Sequence, residues 1–278
     1  TIAAIAAANL GAHTILIEKN GFLGGNLTAA GIDTIYGLYS VGEKPVKMIG
    51  GYPDQIIEKL SALNACYERV NTYGAGIGLT FGVEEMKLVL ERMAINAGVQ
   101  ILYHTIMPEV FTKDQQVFGI CIASKSGLTR IDAKVFIDAT GDADLVARAG
   151  GAFEKSGEAS PVQSCTAVFF MGNVDLAEYM KWGGKSKLWQ TMKEVSKSGL
   201  YNLPRLEGSF HATPVPTLIE ANMTRIANVD STDVESITSA EIEGREQVQQ
   251  YARFLKENVP GFENAYLSKT GSHIGVRE

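Results

Sequence analysis

Glu18 is the first residue whose type and position suggest a chemical role. It ends the β-branched run His13–Glu18, which has the composition of a buried parallel strand. A carboxylate offers two acceptor oxygens, and two neighbouring hydroxyl groups of a ribose can donate to them. In a dinucleotide-binding βαβ unit, an acidic residue at this place holds the adenosine ribose. For Glu18 taken alone, a solvated surface glutamate is the alternative interpretation.

Two glycine-containing segments could complete such a site. Gly24–Asn26 follow Glu18 at short distance, and glycine lets a phosphate or a ribityl chain approach the backbone closely. The segment Ala139–Asp142 follows an apolar run, so we expect it at the carboxyl edge of a sheet, where ligands of open α/β sheets bind. A plain surface turn is the alternative for the first segment. Helix capping by Asp142 or Asp144 is the alternative for the second.

The elements that must position these residues follow from apolar periodicity. The alanine-rich segment Thr1–Asn9 predicts a helix, Gly11 a left-handed turn after it, and His13–Glu18 a strand. Together they form the second half of a βαβ unit. A hairpin is predicted over Ile106–Thr112 and Val117–Ser124, which indicates a β-meander inserted in this domain.

The rest of the chain divides near residue 150. We predict an α/β protein with a Rossmann-like domain over residues 1–150 and a mixed α+β substrate or cap domain over residues 151–278. The stretch Tyr73–Gly82 is glycine-rich and is predicted to be irregular. The other predicted elements are a helix from Pro53 to about Leu63, a helix over Val83–Ala97, strands over Val99–Tyr103, Lys134–Ala139 and Ser164–Met171, and helices over Asp175–Trp182, Lys187–Ser198 and Asp233–Val259.

Composition and charge argue against several classes of protein. The chain has 278 residues and a formal net charge of -6, with acidic and basic residues mixed along its length. It lacks the basic patch typical of nucleic-acid-binding proteins, and no apolar stretch reaches the length of a membrane span. The three cysteines Cys66, Cys121 and Cys165 are far apart, so we expect no disulfide framework, no metal site and a reducing cytoplasm. Cys165 lies in an apolar run and is expected in the core.

Together, these segments resemble the FAD-dependent oxidoreductases of the glutathione-reductase-like superfamily. The resemblance is carried by AAIAAANLGAHTILIEKNGFLGGNLTAAG near the start and by KVFIDATGDADLVARAG in the middle of the chain. The last long helix and the terminal HIGVRE are also similar to this group. The resemblance implies an enzyme that binds FAD and transfers hydride or electrons between the flavin, a small-molecule substrate and an electron donor or acceptor.

The resemblance also implies a set of cofactor-binding residues. Glu18 would hold the adenosine ribose, Lys19 would lie beside the adenine, and the backbone at Ile106 would meet the adenine edge. The glycine-containing segments would border the pyrophosphate and the ribityl chain. The complete set is Glu18, Lys19, Gly24, Gly25, Asn26, Thr28, Ile106, Ala139, Thr140, Gly141 and Asp142.

This sequence departs from the family pattern at both ends. The strand and the GxGxxG loop that should precede Thr1 are missing, and the chain stops at Glu278 before the usual second Gly-Asp segment. We therefore expect a fragment, and we expect the 278-residue chain alone to bind FAD weakly or not at all.

Few residues are candidates for catalysis, because the flavin carries the hydride chemistry and the protein supplies orientation and electrostatics. His211 and His273 could face the flavin or a substrate, and Arg277 could bind a substrate carboxylate through its planar guanidinium. Structural roles are the alternative for all three. Two other functions stay open at this point: a flavoprotein with a biosynthetic or tRNA-modifying role, and a non-catalytic remnant of the fold.

Overall fold

The computed structural model describes residues 1–71, 74–155, 157–158 and 162–277. Its helices are α1 (Ile2–Asn9), α2 (Tyr52–Ala62), α3 (Val83–Asn96), α4 (Asp144–Arg148), α5 (Leu176–Trp182), α6 (Gly184–Ser196) and α7 (Val234–Asn258). Among the described residues, no helix combines the length and the apolar character needed to cross a membrane.

The strands of the described residues pair into one parallel and three antiparallel groups. They are β1 (Ile15–Ile17), β2 (Thr34–Ile35), β3 (Cys66–Val70), β4 (Ile77–Phe81), β5 (Gln100–Leu102), β6 (Ile106–Lys113), β7 (Gln116–Ser124), β8 (Gly127–Asp132), β9 (Phe169–Gly172), β10 (Ser209–Ala212), β11 (Ile219–Asn222) and β12 (Tyr266–Thr270).

Contacts divide the chain into two compact units. The first comprises Thr1–Gly25 and Lys87–Ala159, and the second comprises Asn26–Met86 and Ser160–Glu278. The predicted α/β class with an inserted meander is confirmed. The domain boundary near residue 150 stays a prediction. The second unit also contains the stretch from Asn26 to Met86. The sequence predicts this stretch as part of the Rossmann-like domain.

The first unit contains the parallel pair β1–β5 and the meander β6–β7–β8. Helix α1 leads into β1 through Gly11, whose φ of +87° is the left-handed conformation that glycine adopts without steric cost. The sequence predicts each of these elements except β8, although β1 is shorter than the run His13–Glu18.

One predicted element of the first unit is wrong. The segment Lys134–Ala139 forms no strand, and Val135 and Ile137 are 74% and 59% exposed. A strand needs a neighbour to satisfy its backbone N–H and C=O groups, and no described strand pairs with this segment. Apolar composition predicted a strand here, but composition does not supply a partner.

The second unit contains the sheet β10–β11–β9–β12 and the sheet β2–β4–β3. Helices α5, α6 and α7 enclose its core, in which Phe169, Leu188 and Tyr251 are fully buried. Cys165 is buried in the same core, as predicted, and burial raises the pKa of its thiol. The prediction of an irregular stretch over Tyr73–Gly82 is wrong where β4 forms, while Tyr73 lies outside the described residues.

The glycines of strand β4 disrupt the sequence pattern from which a strand is predicted. A Cβ at position 78 would overlap the ring of Tyr36, so glycine is the residue that fits there. This packing requirement interrupts the alternation of side chains by which strands are recognised.

Helix α7 is the longest element of the second unit, and side-chain and backbone features define its ends. The Asp233 carboxylate accepts hydrogen bonds from the backbone N–H groups of Glu235 and Ser236, at 3.3 and 3.2 Å. After the helix, Gly261 has a φ of +89°, and a Cβ on it would collide with the carbonyl oxygen of Asp175. The chain can therefore pass close to the start of α5 only with glycine at this position.

We expect Gly261→Ala to lower the free energy of unfolding by more than the conformational penalty alone. An alanine in the left-handed region costs about 1–2 kcal/mol, and the collision with Asp175 adds about 1–3 kcal/mol of overpacking. Urea denaturation followed by circular dichroism measures the loss. Gly199→Ala is the matched control, because Gly199 has a φ of +70° and a Cβ there meets no atom within 4 Å. Equal losses for the two variants would contradict the close approach.

Candidate functional site

Glu18 is held at the carboxyl end of the parallel strand pair in the first unit. β1 runs alongside β5 with Ile17 opposite Leu102. The Glu18 N–H donates to the Leu102 carbonyl at 3.0 Å, and the Glu18 carbonyl accepts from the N–H of Thr105 at 3.1 Å. Backbone pairing therefore places the Glu18 side chain at the edge where parallel sheets bind dinucleotides.

The Glu18 carboxylate is half-buried and is oriented by Asn20. Its Oε1 accepts hydrogen bonds from the Asn20 backbone N–H at 2.8 Å and from the Asn20 side-chain amide at 3.0 Å. A carboxylate has about four acceptor positions, so these two bonds leave capacity for donors from a ligand. The observed geometry fits the predicted contact with ribose hydroxyls.

The glycine loop after Glu18 borders open space. Gly24 and Gly25 have φ values of +118° and +56°, and a Cβ on Gly25 would meet no atom within 4 Å. A ligand can therefore approach this backbone without a side chain in the way. Asn26 is exposed and Thr28 is buried, and both belong to the second compact unit.

The segment Ala139–Asp142 is an exposed loop in the first unit. Gly141 has a φ of +94°, and a Cβ there would also meet no atom within 4 Å. Lys19 and Ile106 of the same unit are exposed as well, and Ile106 begins β6, an edge strand of its sheet. The first-unit residues predicted for the cofactor are therefore accessible.

Asp138 organises this loop. Its Oδ1 accepts from the backbone N–H and the hydroxyl of Thr140, at 3.0 and 2.7 Å, and its Oδ2 accepts from the N–H of Val146 at 3.0 Å. Burial raises the pKa of Asp138, but the hydrogen bonds from Thr140, Val146 and Leu145 outweigh burial and hold the pKa below its ordinary value. The carboxylate thus ties the loop to the first turn of α4.

The predicted capping of α4 by Asp142 or Asp144 is wrong. The N-cap residue is Ala143, with a φ of +55° and no capping side chain, and Asp144 lies inside the helix and pairs with Arg148 at 2.6 Å. Asp138 fills the capping role from a position before the loop. The sequence signal was an Asp two residues before a Thr, a spacing that favours local bonds from side chain to backbone.

The three catalytic candidates lie in the second unit, in different surroundings. His273 is half-buried, and its Nδ1–H donates to the Ile274 carbonyl at 2.7 Å. Arg277 is exposed near the end of the described residues. His211 lies in a cluster of charged side chains.

The imidazole of His211 lies between two buried carboxylates. Its Nε2 is 2.8 Å from Asp33 Oδ1, and its Nδ1 is 3.2 Å from Glu220 Oε2. Asp33 is 1% exposed and Glu220 is 3% exposed. Register places His211 on β10 directly opposite Glu220 on β11, while Asp33 precedes β2.

Arg69 and two threonines complete the cluster. From β3, Arg69 donates through Nε to Thr80 Oγ1 at 2.8 Å and through Nη2 to Thr34 Oγ1 at 3.1 Å. The same Nη2 lies 3.3 Å from His211 Nδ1. Burial raises the pKa of Glu220 well above its ordinary range, and the charge of Asp33 raises it further, against the opposing effect of Arg69.

The sequence indicates His211 as a candidate but does not indicate its partners. Asp33, Arg69 and Glu220 lie on separate elements, and no motif links them. One signal was present, since Glu220 interrupts the apolar run LIEA, and a charged residue in a buried strand requires a partner.

Comparison with known proteins identifies the family of this chain. The family model described as FAD dependent oxidoreductase matches residues 1–278. The chain therefore belongs to this family of FAD-dependent oxidoreductases. No curated protein is similar enough to the chain to count as a match.

Solved structures show the same fold at low sequence identity. A geranylgeranyl bacteriochlorophyll reductase-like protein from Thermoplasma acidophilum has a TM-score of 0.53 at 14% identity, covering 98% of this chain and 62% of that one. p-Nitrophenol 4-monooxygenase from Pseudomonas putida has a TM-score of 0.55 at 10% identity, covering 96% of this chain and 62% of that one. A triple mutant of the flavin-dependent brominase Bmp2 has a TM-score of 0.53 at 13% identity, covering 98% of this chain and 64% of that one. The chain thus spans less than two thirds of the length of each of these proteins.

We expect Asp138→Ala to loosen the loop and the first turn of α4. Loss of a capping carboxylate costs about 1 kcal/mol, so the amide of Val146 should exchange with deuterium several-fold faster. Because the folded pKa of Asp138 lies below the unfolded value of about 3.9, its stabilisation is present above that value and is lost as the pH falls through the folded pKa.

Hydrogen exchange resolved by residue, measured at several pH values, tests this expectation. Asp144→Ala is the control, because it removes only an exposed ion pair worth about 0.5 kcal/mol or less. A faster exchange of Val146 in Asp144→Ala than in Asp138→Ala would show that the capping assignment is wrong.

Proposed function

We propose that the protein is an FAD-dependent oxidoreductase that transfers hydride or electrons between the flavin and a small-molecule substrate. The observation that carries this proposal is Glu18, a half-buried carboxylate at the carboxyl end of a parallel strand pair. Membership of the FAD-dependent oxidoreductase family over residues 1–278 supports it. We further propose that this family membership places the chain in the glutathione-reductase-like superfamily.

The residues of the first unit suit the adenosine half of FAD. Glu18 accepts hydrogen bonds from the ribose hydroxyls, and Lys19 lies beside the adenine. The backbone of Ile106, at the start of an edge strand, meets the adenine edge. Asn20 holds the carboxylate in the orientation that this contact requires.

The two glycine-containing segments suit the phosphate and ribityl parts of the cofactor. Gly24 and Gly25, with Asn26 and Thr28 after them, let the pyrophosphate approach the backbone closely. Ala139–Asp142 line the cofactor, and Asp138 fixes the shape of that loop. Bound FAD supplies the hydride chemistry, while these side chains bind and orient it.

The partners proposed for the reaction are a small-molecule substrate and an electron donor or acceptor. We also propose the cytoplasm as the compartment. Free thiols at Cys66, Cys121 and Cys165 support a reducing environment.

The natural full-length protein is expected to purify with a flavin absorption band or to gain one on incubation with FAD. Anaerobic addition of NADH or NADPH, followed by a candidate oxidised substrate, should bleach and then restore this band. Absorption spectroscopy measures both steps. A protein that takes up no FAD would contradict the proposal, whereas a bound flavin that no physiological reductant bleaches would favour a non-redox use of the cofactor.

Glu18→Ala in this protein is expected to raise the dissociation constant of FAD about 10- to 100-fold. Hydrogen bonds to a charged acceptor contribute about 1.5–3 kcal/mol, and each 1.4 kcal/mol is about tenfold in affinity. Fluorescence titration with FAD measures the change. Glu58→Ala, at an exposed position of α2, is the matched control and should leave the affinity unchanged. Equal affinity of wild type and Glu18→Ala would remove Glu18 from the site.

A further inference from the structure

The His211 cluster contains two acidic side chains and one guanidinium. Both nitrogens of the imidazole make contacts within it. Asp33 Oδ1 faces Nε2 at 2.8 Å, and Glu220 Oε2 faces Nδ1 at 3.2 Å. Both carboxylates are almost completely buried, while the His211 side chain is 20% exposed. The imidazole thus links two groups inside the protein and also touches the solvent.

Arg69 decides which imidazole nitrogen carries the hydrogen. A guanidinium can only donate hydrogen bonds, and its Nη2 lies 3.3 Å from Nδ1. Nδ1 is therefore the acceptor, and the hydrogen is on Nε2, which donates to Asp33 Oδ1. An imidazolium with a hydrogen on Nδ1 would oppose the Arg69 donor at close range.

This tautomer requires a neutral Glu220. Two lone pairs would face each other if an ionised Glu220 Oε2 lay 3.2 Å from an unprotonated Nδ1. A protonated Glu220 donates to Nδ1 and shares the single lone pair of Nδ1 with Arg69. Burial, together with the charge of Asp33, raises the pKa of Glu220 and favours the same form.

Charge balance also favours one bound proton. Ionised Asp33 balances Arg69, so the cluster is neutral when Glu220 is protonated. Nearby, Arg205 lies 3.6 Å from Glu207, which also pairs with Arg225, and the charge of Arg205 opposes the rise in the pKa of Glu220. The Tyr67 hydroxyl donates to the Ala212 carbonyl at 2.6 Å, and burial raises its pKa and keeps it neutral.

A divalent cation fits this cluster less well than a proton. Oxygen and nitrogen atoms of Asp33, His211 and Glu220 lie within 4.8 Å of one another, close enough to surround an ion. However, Asp33 and Glu220 face different nitrogens of the ring, which point apart, and the guanidinium of Arg69 lies beside one of them. Two further positive charges would leave a net positive charge in a buried site, which is costly.

We propose that Asp33, His211 and Glu220 form a proton-transfer site that holds one exchangeable proton at neutral pH. Glu220 carries this proton at rest, and His211 connects it to Asp33 and to the solvent-accessible surface of the second unit. The contacts on which the proposal rests are all between protein residues of the second unit.

The transfer is a balanced proton shift without any redox change. The O–H bond of Glu220 breaks as an N–H bond forms at His211 Nδ1, and the Nε2–H bond breaks as an O–H bond forms at Asp33. Glu220 then carries the negative charge that Asp33 carried before. The acceptor is Asp33 Oδ1, which lies 2.8 Å from Nε2, while Asp33 Oδ2 is buried and receives no hydrogen bond from the described residues.

Such a site suits the chemistry of a flavin-dependent enzyme. When an alcohol or an amine loses a hydride, its O–H or N–H proton must go to a base, and the reverse reaction needs an acid. In this use the site rests on the proposed function, whereas the experiments below are carried out on protein without added flavin.

Infrared difference spectroscopy tests where the proton is. At neutral pH the wild type should show the carbonyl stretch of one neutral carboxylic acid that Glu220→Gln lacks. Glutamine is the suitable replacement because its amide also donates to Nδ1 while holding no transferable proton. Glu58→Gln is the matched control and should keep the band. Identical spectra of wild type and Glu220→Gln would overturn the proposal.

Nitrogen NMR of the unsubstituted protein tests the transfer and does not require any cluster variant to fold. With histidine labelled on the ring nitrogens, His211 should show Nε2 protonated and Nδ1 as acceptor. The variants His13→Gln, His104→Gln and His273→Gln identify the other signals. As the pH rises and the carboxylic acid band disappears, the His211 signals should change at the same pH. Unchanged His211 signals would overturn the proposal, as would a stoichiometric metal ion found by elemental analysis.

The pH dependence of stability gives a third measurement. Since the folded pKa of Glu220 is above the unfolded value of about 4.3, the neutral form stabilises the fold fully below that value. This stabilisation is lost as the pH rises through the folded pKa. The free energy of unfolding should therefore fall with pH in the wild type over this interval, and Glu220→Gln should lack this fall. A matching fall in Glu220→Gln would contradict the assignment.

Discussion

The second unit is organised around the cost of burying two carboxylates. Asp33 and Glu220 are almost fully removed from water, so each requires a compensating group within hydrogen-bond distance. His211 provides contacts to both, and Arg69 provides the positive charge. These residues lie on β3, β10 and β11 and directly before β2. Their contacts therefore connect the two sheets of the second unit at one point.

A different constraint shapes the first unit, where backbone pairing matters more than buried charge. Glu18 continues the backbone hydrogen bonds between β1 and β5, so the sheet itself sets the position of its carboxylate. Asn20 then orients one oxygen, and Asp138 performs the equivalent task for the loop before α4. Both carboxylates are fixed through local hydrogen bonds, but a short sequence motif indicated only Glu18, and the sequence analysis did not identify Asp138.

The accuracy of the sequence-based predictions follows from how local each feature is. Helix α7 was predicted because its cap and its apolar face lie within one segment. The strand over Lys134–Ala139 was predicted on composition and is wrong, since pairing needs a neighbour that composition cannot provide. Strand β4 was not predicted, because the glycine at position 78 leaves space for the ring of Tyr36, a residue far from it in the chain.

The sequence by itself determined the α/β class, the strand that ends at Glu18 and the glycine segments suited to a dinucleotide. These features depend on residues close together in the chain, where side-chain type and backbone preference act directly. Only the tertiary structure decided that Asp138 caps α4 and that His211 lies between Asp33 and Glu220. The residues of that last cluster are far apart in the chain, and their protonation depends on burial and mutual distance, which exist only after folding.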